Sequence, residues 1–468
     1  MMRTLRVLIL FTLLFPAAVR TQTVAPATGH RSVSEKFICH IDSSTIAELP
    51  IFSPDNRRMA YVAKIGNKLA VVVDGKEEKS YDLIGKGSLI FSPDSQRVAY
   101  VARSEANWTA VVDGKEEKPY ENIGKGSLIF SPDSRQVAYA ARVGEKRFAV
   151  VDGKKEKSYD GIVASSLIFS PDSRRLAYIA GVSGKQFVVV DGKEEKPYDA
   201  IGGPFFSPDS HRVAYAAKVG DKWVVVVDGK VEKSYDEIGQ GTPIFSPNSQ
   251  RVAYLATVGA KQLVVVDDKE EKSYNGIGVI PIFSPDSRRV AYAAGVGEKQ
   301  VVVVNGKEEK SYDGIGAGTL IFSPDSQRVA YVAVIGVQRA VVVDNKKEKS
   351  YNSIRVYPIF SPDSRRMAYE AEVGKKQVVV VDGKEEKSYD GIGEGSLIFS
   401  PDSQHVAYEA QDGTKQFAVV DGKDGKAYNG FLKGAKIVFD ASNALHYIVV
   451  KQTIGSIGEI YLVEETID

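Results

Sequence analysis

A ten-residue motif recurs along the whole chain, and no other feature restricts its folding as strongly. In its clearest copy it reads Phe91-Ser92-Pro93-Asp94-Ser95-Gln96-Arg97-Val98-Ala99-Tyr100. The Phe-Ser-Pro-Asp/Asn core begins at Phe52, Phe91, Phe130, Phe169, Phe206, Phe245, Phe283, Phe322, Phe360 and Phe399, and a worn copy begins at Phe439. Successive copies lie 37 to 40 residues apart. A fixed period of this length marks a stack of supersecondary units, each too small to bury its own apolar face. The 468 residues therefore divide into about eleven similar units rather than a few average domains.

Within one unit the residue types name their own conformations. Leu89-Ile90-Phe91 is a short apolar run that ends in a turn. Pro93 presets the first corner of that turn, and the Asp94 carboxylate can cap nearby backbone amides. Arg97 to Ala102 reads as a second strand with Val98, Tyr100 and Ala102 on one face and Ala99 and Val101 on the other. Both faces are apolar, so both must be covered. A third, Val-rich strand ends in a two-residue corner: Asp74-Gly75, Asp113-Gly114, Asp267-Asp268, Asn305-Gly306, Asp344-Asn345. Every variant stays within Asp, Asn and Gly, the residues that tolerate the positive φ a type I′ hairpin needs at both corners. A charged fourth strand follows, such as Lys76-Glu77-Glu78-Lys79-Ser80-Tyr81, read as a solvated outer edge with its Tyr tucked inward as a packing anchor.

Each unit is thus a four-stranded antiparallel meander, the pattern of a propeller blade. The predicted fold is all-β, a β-propeller of about eleven four-stranded antiparallel blades in one large ring or in two rings in tandem. The last unit supplies only three strands, and Phe37-Ile38-Cys39-His40-Ile41 is a spare strand ahead of the first motif. That strand is expected to complete the last blade and close the structure, leaving no open sheet edge.

The pattern Phe-Ser-Pro-Asp-(Ser/Asn)-x-(Arg/Gln/His)-x-Ala-Tyr resembles the WD-repeat-like β-propeller repeat of the TolB type over residues 37–468. That family usually carries Gly after the Asp. Here Ser95 and its equivalents stand there, and Asn56 in the first copy, which leaves the turn type open. The resemblance implies a propeller of exported bacterial proteins acting as a protein-binding platform. The α/β domain that precedes the propeller in TolB has no counterpart in this sequence, so its envelope role does not carry over.

Residues 1–22 read as a secretory signal peptide: Arg3 and Arg6 precede the apolar run Val7 to Phe15, which is too short to span a bilayer. Residues 23–36 read as a flexible leader and 37–468 as the repeat array. The expected location is periplasmic or extracellular, with no stable membrane insertion after signal removal. Lys plus Arg number 61 against 60 Asp plus Glu, so no overall field draws in nucleic acid.

No catalytic set, metal site or cofactor motif is predicted. Cys39 is the single cysteine and reads as a small apolar strand residue. His30, His40, His211, His405 and His446 do not share metal-ligand spacing, and His211 and His405 occupy the Arg/Gln slots after the turn. Comparison between repeats exposes four outliers as binding candidates. Glu370 and Glu409 replace the apolar residue after the second-strand Tyr in two adjacent units. Arg355-Val356-Tyr357 replaces the usual Gly-x-Gly connector, which places Arg355 and Tyr357 at one mouth of a channel. A direct Glu370–Glu409 pair is not expected, because equivalent positions on adjacent sheets point the same way and stacked sheets lie about 10 Å apart. The leading expectation is an exported, non-enzymatic platform whose partner is another protein. The alternatives are an enzyme or small-ligand binder with its site in the central channel, and a purely structural surface module.

Overall fold

Every Asp-Gly pair that ends a third strand sits at a hairpin tip with positive φ at both corners, for example Asp74 (50°) and Gly75 (79°). The variants obey the same geometry: Asp267 (51°) with Asp268 (63°), and Asp344 (48°) with Asn345 (64°). The computed structural model describes residues 31–454 and 457–467. Among them the chain forms eleven separate antiparallel sheets, here blades 1 to 11 in chain order.

Blade 2 shows the plan. Leu83–Ile84 and Ile90–Phe91 are two halves of a first strand, and both pair with the second strand Val98–Ser104. That strand pairs with Asn107–Val112, which pairs with the short fourth strand Lys115–Glu116. The sequence reading placed only Leu89–Phe91 in the first strand. Leu83–Ile84 also belongs to it, and Gly85-Lys86-Gly87-Ser88 bulges out between the halves. In blades 1, 7 and 9 the first strand runs unbroken over Ile46–Phe52, Ile277–Phe283 and Ser353–Phe360. These three lack the Gly-x-Gly connector and carry Pro50, Pro281 and Pro358 instead.

The eleven sheets form one ring, not two. Arg31–Asp42 pairs antiparallel with Ile457–Ile467 and so supplies the fourth strand of blade 11. Cys39 and Ile41 then join Ile448 and Ile460 of blade 11 in one apolar cluster with Met59 and Tyr61 of blade 1. Blade 10 packs on blade 11 through a cluster that includes Ala418, Tyr428 and Tyr447. The closing strand begins earlier than the sequence suggested, because residues 31–36 are strand and not leader. Ser32 and Ser34 on this edge strand give it no apolar alternation to read. Glu35 fixes it instead, accepting from Tyr428 Oη (2.9 Å) and Lys451 Nζ (2.7 Å) and pairing with Lys426 (2.8 Å). Burial works against the Glu35 charge, but these donors hold its carboxyl down at about 2. The segment read as a signal peptide lies outside the described residues.

Three recurring sets of side chains join neighbouring blades, with substitutions at some junctions. At the motif turn the Ser that replaces Gly adopts positive φ (Ser95, 65°; Ser134, 65°) and accepts from the Asp amide of the preceding blade. The Asp94 N–H reaches Ser134 Oγ at 2.9 Å, and the Asp55 N–H reaches Ser95 Oγ at 3.0 Å. The motif Arg extends this joint. Arg97 donates to Asp113 of its own hairpin (2.9 Å) and to the Ser134 carbonyl of the next blade (2.9 Å), and it stacks over the Phe130 ring at 5.2 Å. At mid-blade, Tyr81 packs edge-on against Tyr100 of the next blade with ring centroids 6.2 Å apart, and Tyr100 Oη donates to Glu78 (2.8 Å). Such aromatic pairs contribute about 0.5–1.5 kcal/mol beyond the area they bury. At the opposite end, Asp160 accepts from Lys146 (2.7 Å) of one blade and from the Ser183 amide (3.1 Å) of the next.

The Ser joint makes an ordered prediction. Ser134→Ala keeps the positive-φ strain and leaves the Asp94 amide unpaired, so it should destabilise by about 1–3 kcal/mol. Ser134→Gly should cost less, because glycine relieves roughly 1–2 kcal/mol of left-handed strain. Denaturant midpoints of the two variants test this order. The closing strand makes a second. Glu35 has a depressed pKa, so its contribution is present above about 4.5 and lost as pH falls toward about 2. Glu35→Gln should lower the neutral-pH melting temperature and reduce the extra loss of stability on acidification.

Candidate functional site

The two edges of the blades are spaced differently, and this identifies the inner one. First-strand connectors of successive blades approach at Cβ distance: a Cβ on Gly124 would lie 2.6 Å from that of Ala164. Fourth strands instead reach one another through long side chains, as in Lys79–Glu116 (2.7 Å) and Lys157–Glu194 (2.6 Å). In a ring of radial sheets the separation grows with radius, so the first strands line the central channel and the charged fourth strands form the rim.

Glu370, Arg355 and Tyr357 belong to blade 9, and Glu409 to blade 10. Arg355 Nε lies 3.6 Å from Glu370 Oε1, and its NH1 lies 3.0 Å from Glu372 Oε1. Glu370 is only 1 % exposed, and its Oε1 makes no hydrogen bond. Burial pushes its carboxyl up to about 7, with Arg355 opposing. Glu409 has no cationic partner among the described residues. Its carboxylate lies over Gly393, where a Cβ would meet Glu409 Oε2 at 2.7 Å, and burial alone pushes it up to about 7. The structure therefore joins Glu370 to Arg355 and leaves Glu409 in a separate environment. Tyr357 is 54 % exposed and rests near Gly318 of blade 8. Leu49 and Ile280, each also preceding a Pro on an unbroken first strand, are exposed in blades 1 and 7.

The histidines are absorbed by the architecture. His405 takes the motif Arg slot and its Nδ1 lies 2.6 Å from Asp421, as the Arg would. His446 is buried with Nδ1 at 2.8 Å from Asp440 and Nε2 at 2.8 Å from the Asp55 carbonyl across the ring closure. Among the described residues no cluster of His, Cys, Asp and Glu has the arrangement of a metal site. No helix among them is long and apolar enough to cross a membrane.

A second feature escaped the sequence reading. The last residue of the second strand is aliphatic in most blades and stands open at the hairpin to the third strand. Val143, Val182, Val219, Val258, Val296 and Val373 are 41 to 53 % exposed at this one position. The signal was present as Val before the turn glycine in repeat after repeat, but an apolar residue ending a strand reads as core.

No protein-family model matches the chain, and no curated protein sequence matches it. Solved structures similar to it share low identity with it, and two of them are named as propellers. TolB from Acinetobacter baumannii is 15 % identical with a TM-score of 0.26, over 53 % of this chain and 77 % of that one. A eukaryotic initiation factor is 14 % identical with a TM-score of 0.38, over 71 % of this chain and 96 % of that one. The dihydro-heme d1 dehydrogenase NirN is 13 % identical with a TM-score of 0.32, over 67 % and 77 %.

The two raised carboxyls predict a pH dependence. Each takes up a proton on folding between about 4.5 and about 7, so its environment favours the folded state in acid and loses that advantage as pH rises through this window. The Glu370→Gln, Glu409→Gln double variant should show a flatter melting-temperature profile from about pH 4.5 to 7 than the unmodified protein, with the two curves diverging most at the alkaline end.

Proposed function

We propose that the protein is an exported, non-enzymatic propeller of the TolB repeat type that serves as a docking platform for another protein. The observation that carries this reading is the row of exposed aliphatic side chains at one hairpin position of successive blades. Isolated exposed Val residues need no explanation, but a repeated set on one face of a disc is the kind of surface that protein partners cover. Lys and Asp flank it, as in the Lys146–Asp160 and Lys376–Asp390 pairs, and supply the polar rim such interfaces carry. The motif turns, the Tyr pairs and the Asp staples all have structural work, which leaves the non-repeating and exposed positions to carry recognition. The apolar run at residues 7–15 supports the exported location.

The test is a comparison of two proteins. Val219→Lys, Val258→Lys and Val296→Lys together change only this face and should leave the melting temperature within a few degrees of the original. In envelope extract of the source cell, the unmodified protein should cross-link to a defined partner that the triple variant fails to recover. Equal recovery by both would overturn the assignment of this face.

A further inference from the structure

We propose that the junction of blades 2 and 3 holds a binding site for an organic carboxylate with a small apolar body. The site does not depend on the aliphatic face described above. It is a cavity of about 370 Å³ at the inner edge, walled by Gly85 and Trp108 of blade 2 and by Lys125 and Gly126 of blade 3, with Lys86 beside them. That volume lies within the usual range for small-molecule pockets, about 300–1,000 Å³.

The neighbouring junction shows which chemistry fits. Between blades 1 and 2, the Gly87 amide at the connector donates to Glu48 Oε2 at 3.1 Å. Gly87 and Gly126 occupy the same repeat position with the same φ, 69° and 70°. Glu48 pairs opposite Val62, and Gly85 bonds to the equivalent Val101, so Gly85 is the blade 2 counterpart of Glu48. Blade 1 therefore sends its own carboxylate into the next connector, whereas blade 2 has glycine there and leaves the cavity. The Gly126 amide meets no carboxylate among the described residues, and neither Lys86 nor Lys125 is ion-paired. An amide donor equivalent to the one that meets Glu48, together with the Lys86 and Lys125 ammonium groups, forms an anion cradle.

Trp108 supplies the apolar wall. Equivalent positions in blades 4, 6, 7, 9 and 10 hold Gln, whose side-chain carbonyl accepts from the next blade, as Gln186 does from Ile201 N (2.9 Å). Trp108 has no such acceptor and gives an aromatic surface instead, with Arg103 stacked at 5.6 Å. At the next junction the space opposite Gly124 is taken by Ala164. The occupant is thus a carboxylate on a small aromatic or aliphatic body, either a free acid or the terminus of a peptide.

Trp108 is also the reporter. In a Trp223→Phe background, 3-phenylpropionate should change the Trp108 emission and bind about tenfold or more tighter than 3-phenylpropanamide. Gly85→Glu restores the internal carboxylate of blade 1 and should abolish the response. Lys125→Gln should weaken it several-fold. Trp108→Gln, a residue the fold accepts at this position elsewhere, should remove binding measured by calorimetry. A short peptide ending in Phe, as free acid and as amide, separates the two sources: preference for the peptide acid assigns a chain terminus, and preference for the free acid assigns a metabolite. Equal binding of acid and amide, no binding of any probe to about 10 mM, or unchanged binding by a folded Gly85→Glu protein would overturn the proposal.

Discussion

A blade of four short strands has two apolar faces and no way to cover either alone, so everything here depends on how one sheet is held against the next. The joints are side-chain contacts, since among the described residues every backbone ladder stays within one sheet, the closing one included. Arg97 shows how much one residue does. It neutralises its own hairpin, binds the carbonyl of the following turn and covers the following Phe ring. Because separate sets of contacts act at the turn, the middle and the far end of a sheet, neighbouring blades are fixed in rotation as well as distance. Several repeating residues, the Ser after the motif Asp, the motif Arg and the Tyr pair, touch two blades at once.

This arrangement explains what could be read from the sequence. The period gave the blade count, and the Asp-Gly corners gave the hairpin tips, because both follow from local backbone rules that hold wherever the residue stands. The turn carrying Ser95 was open, because its Ser is there for a bond to the preceding blade, and a partner 40 residues away in the chain leaves no local trace. The same blindness hid the closing strand at Arg31–Lys36, whose partners lie at the other end of the chain. Number of rings was likewise a question of contacts between first and last blades.

The candidate site was partly legible by a different route. Comparing repeats against one another isolates residues that the common architecture does not require, and Glu370, Glu409, Arg355 and Tyr357 were found that way. Their three-dimensional relation was not available, and Glu370 finds Arg355 on its own blade's first strand rather than Glu409 next door. The comparison also has a blind side. Gly85 and Val143 match the majority at their positions, so neither stands out, yet one opens a cavity and the other lies exposed. Conformity to a repeat says that a residue is compatible with the blade, not that the blade is all it serves.

Ring closure through Arg31–Asp42 and Ile457–Ile467 has a consequence for biogenesis. Arg31–Asp42 precedes blade 1 in the chain, yet its partner Ile457–Ile467 follows blade 10 and the rest of blade 11. Blades 2 to 10 can dock on predecessors in order of synthesis, while Met59 and Tyr61 of blade 1 stay uncovered on the closing side until blade 11 has been made. Such an array passes through a growing open arc with two uncovered apolar faces, and ring closure is an encounter between segments of very high sequence separation. Until closure, the unpaired edge of Arg31–Asp42 is open to pairing with another such arc, so closure within one molecule competes with strand exchange between two.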